Sequence, residues 1–203
     1  MRNLVLTPAI ALTLAACSVE QSPSPENENP DSAAPANAAD TITANTSVRA
    51  PVAPLPPAPA ANTLMLEGLG DLRIGQPIPA GSNWAERGAQ ESDTCRIITS
   101  PDFPGTYAIV QGGKVRRITV GEGSTVRLAE NIGVGATQKE VGKWFAGFRA
   151  EPHEYQSAPA KYLTAPNAAS GDPALRFEIG DDGKVILIHV GTMPVLGYVE
   201  SCA

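Results

Sequence analysis

Two stretches of the chain alternate apolar and polar positions on the same plan. Residues 113–121, GKVRRITVG, and residues 183–191, GKVILIHVG, match in frame. Each follows another alternating run, TYAIVQG or LRFEIGDD, across a glycine-bearing turn of the kind that closes β-hairpins. The pattern therefore predicts two similar hairpins in a duplicated architecture, with chance similarity of two hairpins as the alternative.

A helical pattern precedes the second hairpin. Residues 137–140, TQKE, have the form of a capping box, in which hydroxyl and carboxylate satisfy the first free amides of a helix. Apolar residues then recur on one helical face, and we expect all of them to lie in the core. They are Val141, Trp144, Phe145 and Phe148.

A weaker version of the same pattern precedes the first hairpin. Residues 74–84 place a glycine and a tryptophan where residues 134–144 do, but two prolines and Gly81 predict a shorter or distorted helix. The patterns together predict an α+β fold, in which two tandem helix-plus-antiparallel-hairpin units form one sheet layered with short helices, preceded by a disordered tether. We place the folded domain at residues 63–203, with the first unit at 63–130 and the second at 131–203. Further strand candidates are residues 96–99, 125–128, 162–164 and 197–201.

The last hairpin strand is apolar on both faces, whereas its counterpart carries Arg117 and Thr119 on one face. A strand of this kind is either buried on both faces or presents an apolar patch to a partner. Burial is the simpler interpretation. If Leu187 and His189 prove exposed, that face becomes the first candidate for a binding surface.

Residues 18–62 differ in composition from the rest of the chain. They hold nine prolines, eleven alanines and no glycine, and bulky apolar residues are nearly absent. Such a segment buries too little surface to offset its ordering entropy, so we predict disorder. Its proline-rich end favours an extended spacer. We interpret it as a spacer without a recognition role, and a proline-motif ligand is the alternative.

The chain begins with Arg2 and a short apolar run, which has the order of a secretory signal and is too short to span a bilayer. The sequence Leu14-Ala15-Ala16-Cys17 resembles the bacterial lipobox, in which small residues precede a cysteine that is lipidated and becomes the new first residue. We therefore expect a signal peptide at residues 1–16, a lipidated tether at 17–62, and membrane attachment through lipid on Cys17. An ordinary signal peptide with an incidental cysteine is the alternative.

If Cys17 carries lipid, Cys95 and Cys202 are the two cysteines left to form a disulfide. The signal sequence predicts export to an oxidising compartment, where disulfides persist. We predict a disulfide between Cys95 and Cys202, which would pin the end of the chain to the first half of the domain. A metal or redox role is disfavoured because the sequence has no Cys-x-x-Cys motif and no nearby histidine cluster.

Few residues in the sequence indicate catalysis or ligand binding. The folded part is close to balanced in charge and has no basic patch, so nucleic-acid binding is not expected. Nucleophile motifs are missing from the sequence, and we assign no catalytic residue, metal or cofactor. His153, beside Tyr155 in a proline-bearing loop, is the one candidate for an acid, base or ligand. We assign His153 and Tyr155, with Leu187 and His189, only as candidate binding residues.

One resemblance covers residues 132–155, where IGVGATQKEV is followed by a phenylalanine and AEPHEY. This pattern resembles the repeat unit of the small outer-membrane-assembly lipoproteins and the β-lactamase-inhibitor proteins. The first unit departs from it, since it lacks the Thr-x-x-Glu-Val helix start. The resemblance implies helix pairs followed by antiparallel strands, and binding of other proteins rather than catalysis.

The expected function is therefore that of an outer-membrane-anchored lipoprotein facing the periplasm, with a non-catalytic binding or scaffold domain that contacts a protein or cell-wall partner. Two alternatives stay open. One is a periplasmic hydrolase or metal-dependent enzyme that uses His153 and nearby acids. The other is an inhibitor of an extracytoplasmic enzyme, which differs from the first hypothesis only in its partner.

Overall fold

The computed structural model describes residues 60–88, 90 and 92–202. The predicted signal peptide, Cys17 and the tether up to residue 59 lie outside the described residues. None of the helices in the described part is long and apolar enough to cross a membrane.

The described residues form twelve strands, one α-helix and two 3₁₀ turns. The strands are β1 Thr63–Met65, β2 Gly68–Leu69, β3 Leu72–Arg73, β4 Ala85–Glu86, β5 Cys95–Thr99, β6 Thr106–Gln111, β7 Lys114–Val120, β8 Arg127–Leu128, β9 Arg149–Pro152, β10 Lys161–Thr164, β11 Ala174–Ile179 and β12 Val185–Gly191. The α-helix, α1, is Gln138–Trp144, and the 3₁₀ turns are Ala168–Ser170 and Val195–Gly197.

An antiparallel sheet of eight strands in the order β4-β5-β6-β7-β12-β11-β10-β9 dominates the domain. It consists of two four-strand meanders that meet at β7 and β12, the two strands with matching sequences. Thr119 of β7 lies directly opposite His189 of β12, its counterpart in the repeat. The flanking pairs are Ile118 with Val190 and Val120 with Ile188. This register places an approximate two-fold axis through the Thr119–His189 pair.

One face of this sheet is apolar and carries the main core. Ile118, Phe177 and Ile188 on that face are at most 1% exposed. A second sheet of four short strands, in the order β3-β2-β1-β8, packs against the same core through residues such as Leu64 and Leu69. The small sheet needs a glycine at one turn, because Gly68 has φ +149° and a Cβ there would overlap the carbonyl of Leu72.

The predicted fold of two helix-plus-hairpin units is wrong, because the domain is mostly β-structure with two sheets. The first unit has no α-helix, since Pro77, Pro79 and Gly81 interrupt its candidate segment. In place of a second helix, the small sheet covers the core. Residues 197–201 do not form a strand either: the chain turns through Val195–Gly197 and continues as bends.

The helix begins as the sequence predicts. The Thr137 hydroxyl accepts the Glu140 N–H and the Glu140 carboxylate accepts the Thr137 N–H, so both halves of the capping box are present. However, the prediction that Trp144 is a core residue is wrong, because its side chain is 63% exposed. The helix ends at Trp144, and Phe145 and Phe148 fill the space beside Phe177, with ring centroids 5.3 and 5.9 Å from it. The two phenylalanines, and not the indole, therefore cover this part of the core.

Candidate functional site

The other face of the large sheet carries a continuous row of directly paired residues across all eight strands. The row runs Ala85, Thr99, Tyr107, Thr119, His189, Arg176, Thr164 and Arg149. Because neighbouring strands place directly opposed residues on the same face, these positions share one side of the sheet. Most of its members are polar, and this face carries the buried charged and titratable side chains of the described residues, which are Arg117, Arg176, Glu178 and His189.

His189 lies at the centre of the row and is buried. Its Nδ1 lies 2.9 Å from Thr119 Oγ1, and its Nε2 lies 2.9 Å from Glu178 Oε1 on the adjacent strand. A carboxylate only accepts, so Nε2 carries the hydrogen and donates to Glu178, and the Thr119 hydroxyl donates to Nδ1. The neutral imidazole is therefore fully satisfied. The sequence analysis assigned His189 to a possible exposed binding surface, but the side chain is only 2% exposed.

Burial and neighbouring charges shift the pKa values of both His189 and Glu178. Burial lowers the pKa of His189 to about 4, and the positive charge of Arg117 acts in the same direction, whereas the hydrogen bond to Glu178 opposes it. Burial alone would raise the pKa of Glu178, but its hydrogen bond to His189 and the charges of His189 and His153 outweigh that effect and lower it. At neutral pH the site holds a carboxylate beside a neutral imidazole.

His153 reaches the same carboxylate from the loop that follows β9. Its Nε2 is 3.4 Å from Glu178 Oε2, a close contact without the angle of a hydrogen bond. Its ring stacks on Tyr162 at a centroid distance of 4.7 Å. Nδ1 accepts the backbone N–H groups of Tyr155 and Gln156 at 3.1 and 3.2 Å. The lone pair of Nδ1 is thus in use, which fixes the tautomer with hydrogen on Nε2.

Tyr162 and Arg176 complete this buried polar cluster, which we define as His153, Tyr162, Arg176, Glu178 and His189. The Arg176 guanidinium carbon lies 4.1 Å from the centroid of the Tyr162 ring, a cation–π contact. Burial is the largest influence on Tyr162 and raises the pKa of its phenol. The sequence analysis missed Tyr162, Arg176 and Glu178. A polar residue inside an alternating strand gives no signal of which distant loop will cover it.

Residues 192–202, the C-terminal strap, pack over the end of the same face. The Arg117 side chain is buried beneath the strap, and its Nη1 donates to the carbonyls of Val195 at 3.2 Å and Tyr198 at 2.6 Å. Burial lowers the pKa of this guanidinium. Cys95 and Cys202 form the predicted disulfide, which ties the strap to the start of β5.

The predicted binding residues therefore separate into different environments. Tyr155 is exposed, and its hydroxyl donates to the Glu200 carboxylate, which raises the pKa of Tyr155 to about 12. This contact joins the His153 loop to the strap. Leu187 is half-buried and lines an open depression of about 620 Å³ together with Tyr107 and Thr99. Of the four predicted residues, His153 and His189 meet in the buried cluster.

The buried polar cluster has the groups of an acid–base site without access to a substrate. The side chains of His153 and Glu178 are 5% and 8% exposed. A histidine binds a metal through the lone pair of a ring nitrogen. In His153 the nitrogen with the lone pair is Nδ1, which already accepts two backbone hydrogen bonds. Within residues 60–88, 90 and 92–202, no group of three or more His, Cys, Asp and Glu side chains is arranged to hold a metal ion. As folded, the cluster packs the His153 loop against the sheet.

A second feature is an apolar groove of about 370 Å³ on a different part of the domain. It lies between the turn after β1, the end of α1 and the loop after β10. Its walls include Met65, Leu66, Leu128, Trp144, Phe148 and Leu175. Among the described residues, five large hydrophobic side chains are exposed, and three of them, Met65, Leu66 and Trp144, line this groove. The sequence analysis missed the groove because it assigned Trp144 to the core.

Comparison with known proteins gives no relative for this domain: no family model, curated protein or solved structure matches the chain. The resemblance of residues 132–155 to the outer-membrane-assembly and inhibitor repeat stays a prediction. Function is therefore argued from the geometry of the chain itself.

Proposed function

We propose that this chain is an outer-membrane-anchored lipoprotein, attached through lipid on Cys17, whose domain binds another envelope macromolecule without catalysis. The observation that carries the binding proposal is the apolar groove with Trp144 at its rim, 63% exposed. Contiguous exposed apolar surface on a water-soluble domain marks an interaction site. Tryptophan is among the residues that most often dominate the energy of an interface.

The groove favours a protein segment over a cell-wall glycan as its ligand. Its walls are aliphatic and aromatic, and Glu130 and Asn167 supply polar groups. A glycan would need many hydrogen-bonding groups, whereas an extended apolar peptide needs side-chain pockets and a few polar contacts that fix its direction. We therefore commit to an apolar segment of another envelope protein.

The enzymatic alternative has one observation in its favour, the convergence of His153, Glu178 and His189. Their burial opposes it, because a general acid or base must reach the reacting group within hydrogen-bond distance. An inhibitor of an extracytoplasmic enzyme fits the groove equally well and differs only in the identity of the bound protein. That identity is an outcome of the experiment below.

The attachment is tested separately from the binding. Mass spectrometry of the native protein should show a chain that begins at Cys17 and carries acyl groups. The variant Cys17→Ser should lack the added mass of the acyl groups and should no longer be found in the membrane fraction. An unacylated first residue, or a start upstream of Cys17, would contradict the anchor and leave the groove untouched.

Binding is tested by cross-linking in intact cells from a photoreactive amino acid at Leu66 in the full chain. We expect one protein to be captured, and Trp144→Ala to reduce the yield by about tenfold or more, since loss of an aromatic anchor typically removes at least 2 kcal/mol. Lys139→Ala, an exposed change on the same helix, is the matched control and should leave the yield unchanged.

A photoreactive residue at Lys114, exposed in the turn between β6 and β7, controls for proximity alone. Equal capture of the same protein from Lys114 and Leu66 would contradict the groove as the binding site. Undiminished capture from Leu66 in the Trp144→Ala variant would also contradict the groove as the binding site. Turnover of a substrate by the purified domain, lost in His153→Asn, would replace the binding hypothesis with the enzymatic one.

A further inference from the structure

The segment that leads into the domain arrives beside the apolar groove. The carbonyl of Ala60 accepts the N–H of Thr63 at 2.9 Å, so residues 60–63 form a turn. A turn of this kind reverses the chain direction, so the chain enters the described domain beside Thr63 and not beyond the end of β1. Ala60 and Met65 also line one cavity of about 350 Å³, and Met65 is shared with the groove. The surface is therefore continuous from Ala60, through Met65, to the groove.

The preceding sequence has the chemistry and length that the groove requires. Both edges of β1 are already paired, with β2 and β8, so the incoming chain cannot add a strand there. The incoming chain must cover the distance from Thr63 to Leu66. These residues are three positions apart, which is about 10 Å at 3.3 Å per residue. A polyproline II chain advances about 3.1 Å per residue. A segment of three to five residues before Ala60 is therefore long enough to span this distance, and residues 53–59, APLPPAP, have Leu55 flanked by prolines at that separation.

We propose that residues 53–59 of this chain occupy the groove when no partner is bound, with Leu55 inserted beside Trp144. The inference rests on the proposed function, because it assigns the regulation of the same groove. Proline-rich segments dock in aromatic-lined grooves because their extended form is already ordered. A short linker gives an intramolecular ligand an effective concentration in the millimolar range, so weak contacts suffice and a stronger partner displaces the segment.

Other occupants fit the observations less well. The groove is concave, whereas a membrane-inserting surface presents its apolar side chains outward. The chain also has a formal net charge of -6, which disfavours contact with anionic lipid. A second copy of the chain would have to reach the groove at ordinary protein concentrations, far below the effective concentration of the attached segment.

Trp144 supplies the probe, because the chain has two tryptophans and the other, Trp84, is buried at 5% exposure. Acrylamide quenching of the full mature chain, with Trp144→Phe as background, reports on the groove. We expect the combined variant Leu55→Ser, Pro56→Gly and Pro57→Gly to raise the quenching constant of Trp144 by about twofold, because the segment leaves the groove. A synthetic peptide of residues 53–60 at millimolar concentration should restore protection in that variant.

The matched control makes the same exchanges at the far end of the tether, Val19→Ser, Pro23→Gly and Pro25→Gly, and should quench like the unchanged chain. Equal quenching in all three proteins would overturn the inference. Protection that appears only on adding phosphatidylglycerol vesicles, or only at high protein concentration, would overturn it in favour of a bilayer or a second copy.

The two proposals fail separately. If Leu66 still captures a partner while quenching is equal in all variants, the intramolecular ligand is wrong and the binding function stands. If the segment protects Trp144 but no partner is captured, the binding function is wrong and the intramolecular contact stands.

Discussion

The two halves of the large sheet share a strand plan but fill their polar face with different chemistry. In the first half, β4 to β7, the central row carries the hydroxyls of Thr99 and Tyr107, beside an open depression. In the second half, β12 to β9, the same row carries Arg176 and Thr164. Thr119 and His189, equivalent in the repeat, meet at the boundary.

This difference between the two halves reflects the need of buried ionisable groups for hydrogen-bond partners. Hydroxyls can stay beside water, whereas a buried carboxylate and imidazole need partners on every polar atom. In the second half, Glu178 accepts a hydrogen bond from His189 of the neighbouring strand and also contacts His153, which lies outside the strands. We therefore expect the second half to be more sensitive to substitution and to acid than the first. Four predictions follow this contrast, from the largest effect to the smallest.

The disulfide ties the strap, which follows the second half in the chain, to β5 of the first half, and its removal should have the largest effect. Cys95 and Cys202 are 107 residues apart. The chain-entropy model then gives about 5 kcal/mol of stability lost in the double variant Cys95→Ser, Cys202→Ser. Urea unfolding followed by circular dichroism measures the loss, with reduced wild-type protein as the comparison. An unchanged midpoint in both samples would contradict a stabilising role.

Glu178 is the shared partner of both histidines, and its removal should break the second half selectively. Glu178→Ala leaves two buried imidazoles without their carboxylate, and we expect a loss of about 3 kcal/mol. Tyr107→Phe, the matched change in the first half, removes the interaction of the phenol with Arg117 and should cost about 1 kcal/mol. Thermal unfolding of both variants tests the contrast, which similar melting temperatures would contradict.

Acid should destabilise the domain through His189. Its pKa is depressed from 6.5 to about 4 in the folded state, so the unfolded chain binds a proton first as pH falls. Stability is complete above pH 6.5 and decreases between that value and about 4, by about 2 kcal/mol from pH 7 to pH 5. The pKa of Glu178 lies below 4.5, so its protonation destabilises the fold only at lower pH.

His189→Gln removes the titrating imidazole and should flatten the dependence between pH 7 and pH 5. Chemical denaturation at several pH values measures both proteins. A wild-type slope that persists in the variant would assign the acid sensitivity to another group.

The smallest effect concerns the boundary pair itself. Thr119→Val keeps the shape of the side chain but removes the donor to His189 Nδ1, and should lose about 1 kcal/mol. Thr99→Val, in the first half, should change stability by less than half of that value. Proton NMR of the His189 ring should also shift in the Thr119 variant alone; an unperturbed ring would mean that the hydroxyl donates elsewhere.

Much of the local structure was readable from the sequence because it depends on neighbours in the chain. Turns such as Gly112–Gly113 predict hairpins, and both hairpins are present as β6–β7 and β11–β12. The capping box fixed the start of α1. The fold class was not readable, since whether a helix or a small sheet covers the core depends on distant segments competing for one apolar face.

By itself the sequence determined the two central hairpins and where the helix begins, because turn and capping preferences are local, and it left Cys95 and Cys202 as the pair to be joined. Only the tertiary structure decided that Thr119 and His189 face each other, that Glu178 and His153 share one site, and that Trp144 stays outside the core. The reason is physical: burial and long-range pairing depend on which surfaces meet in space, and separation along the chain does not encode that directly.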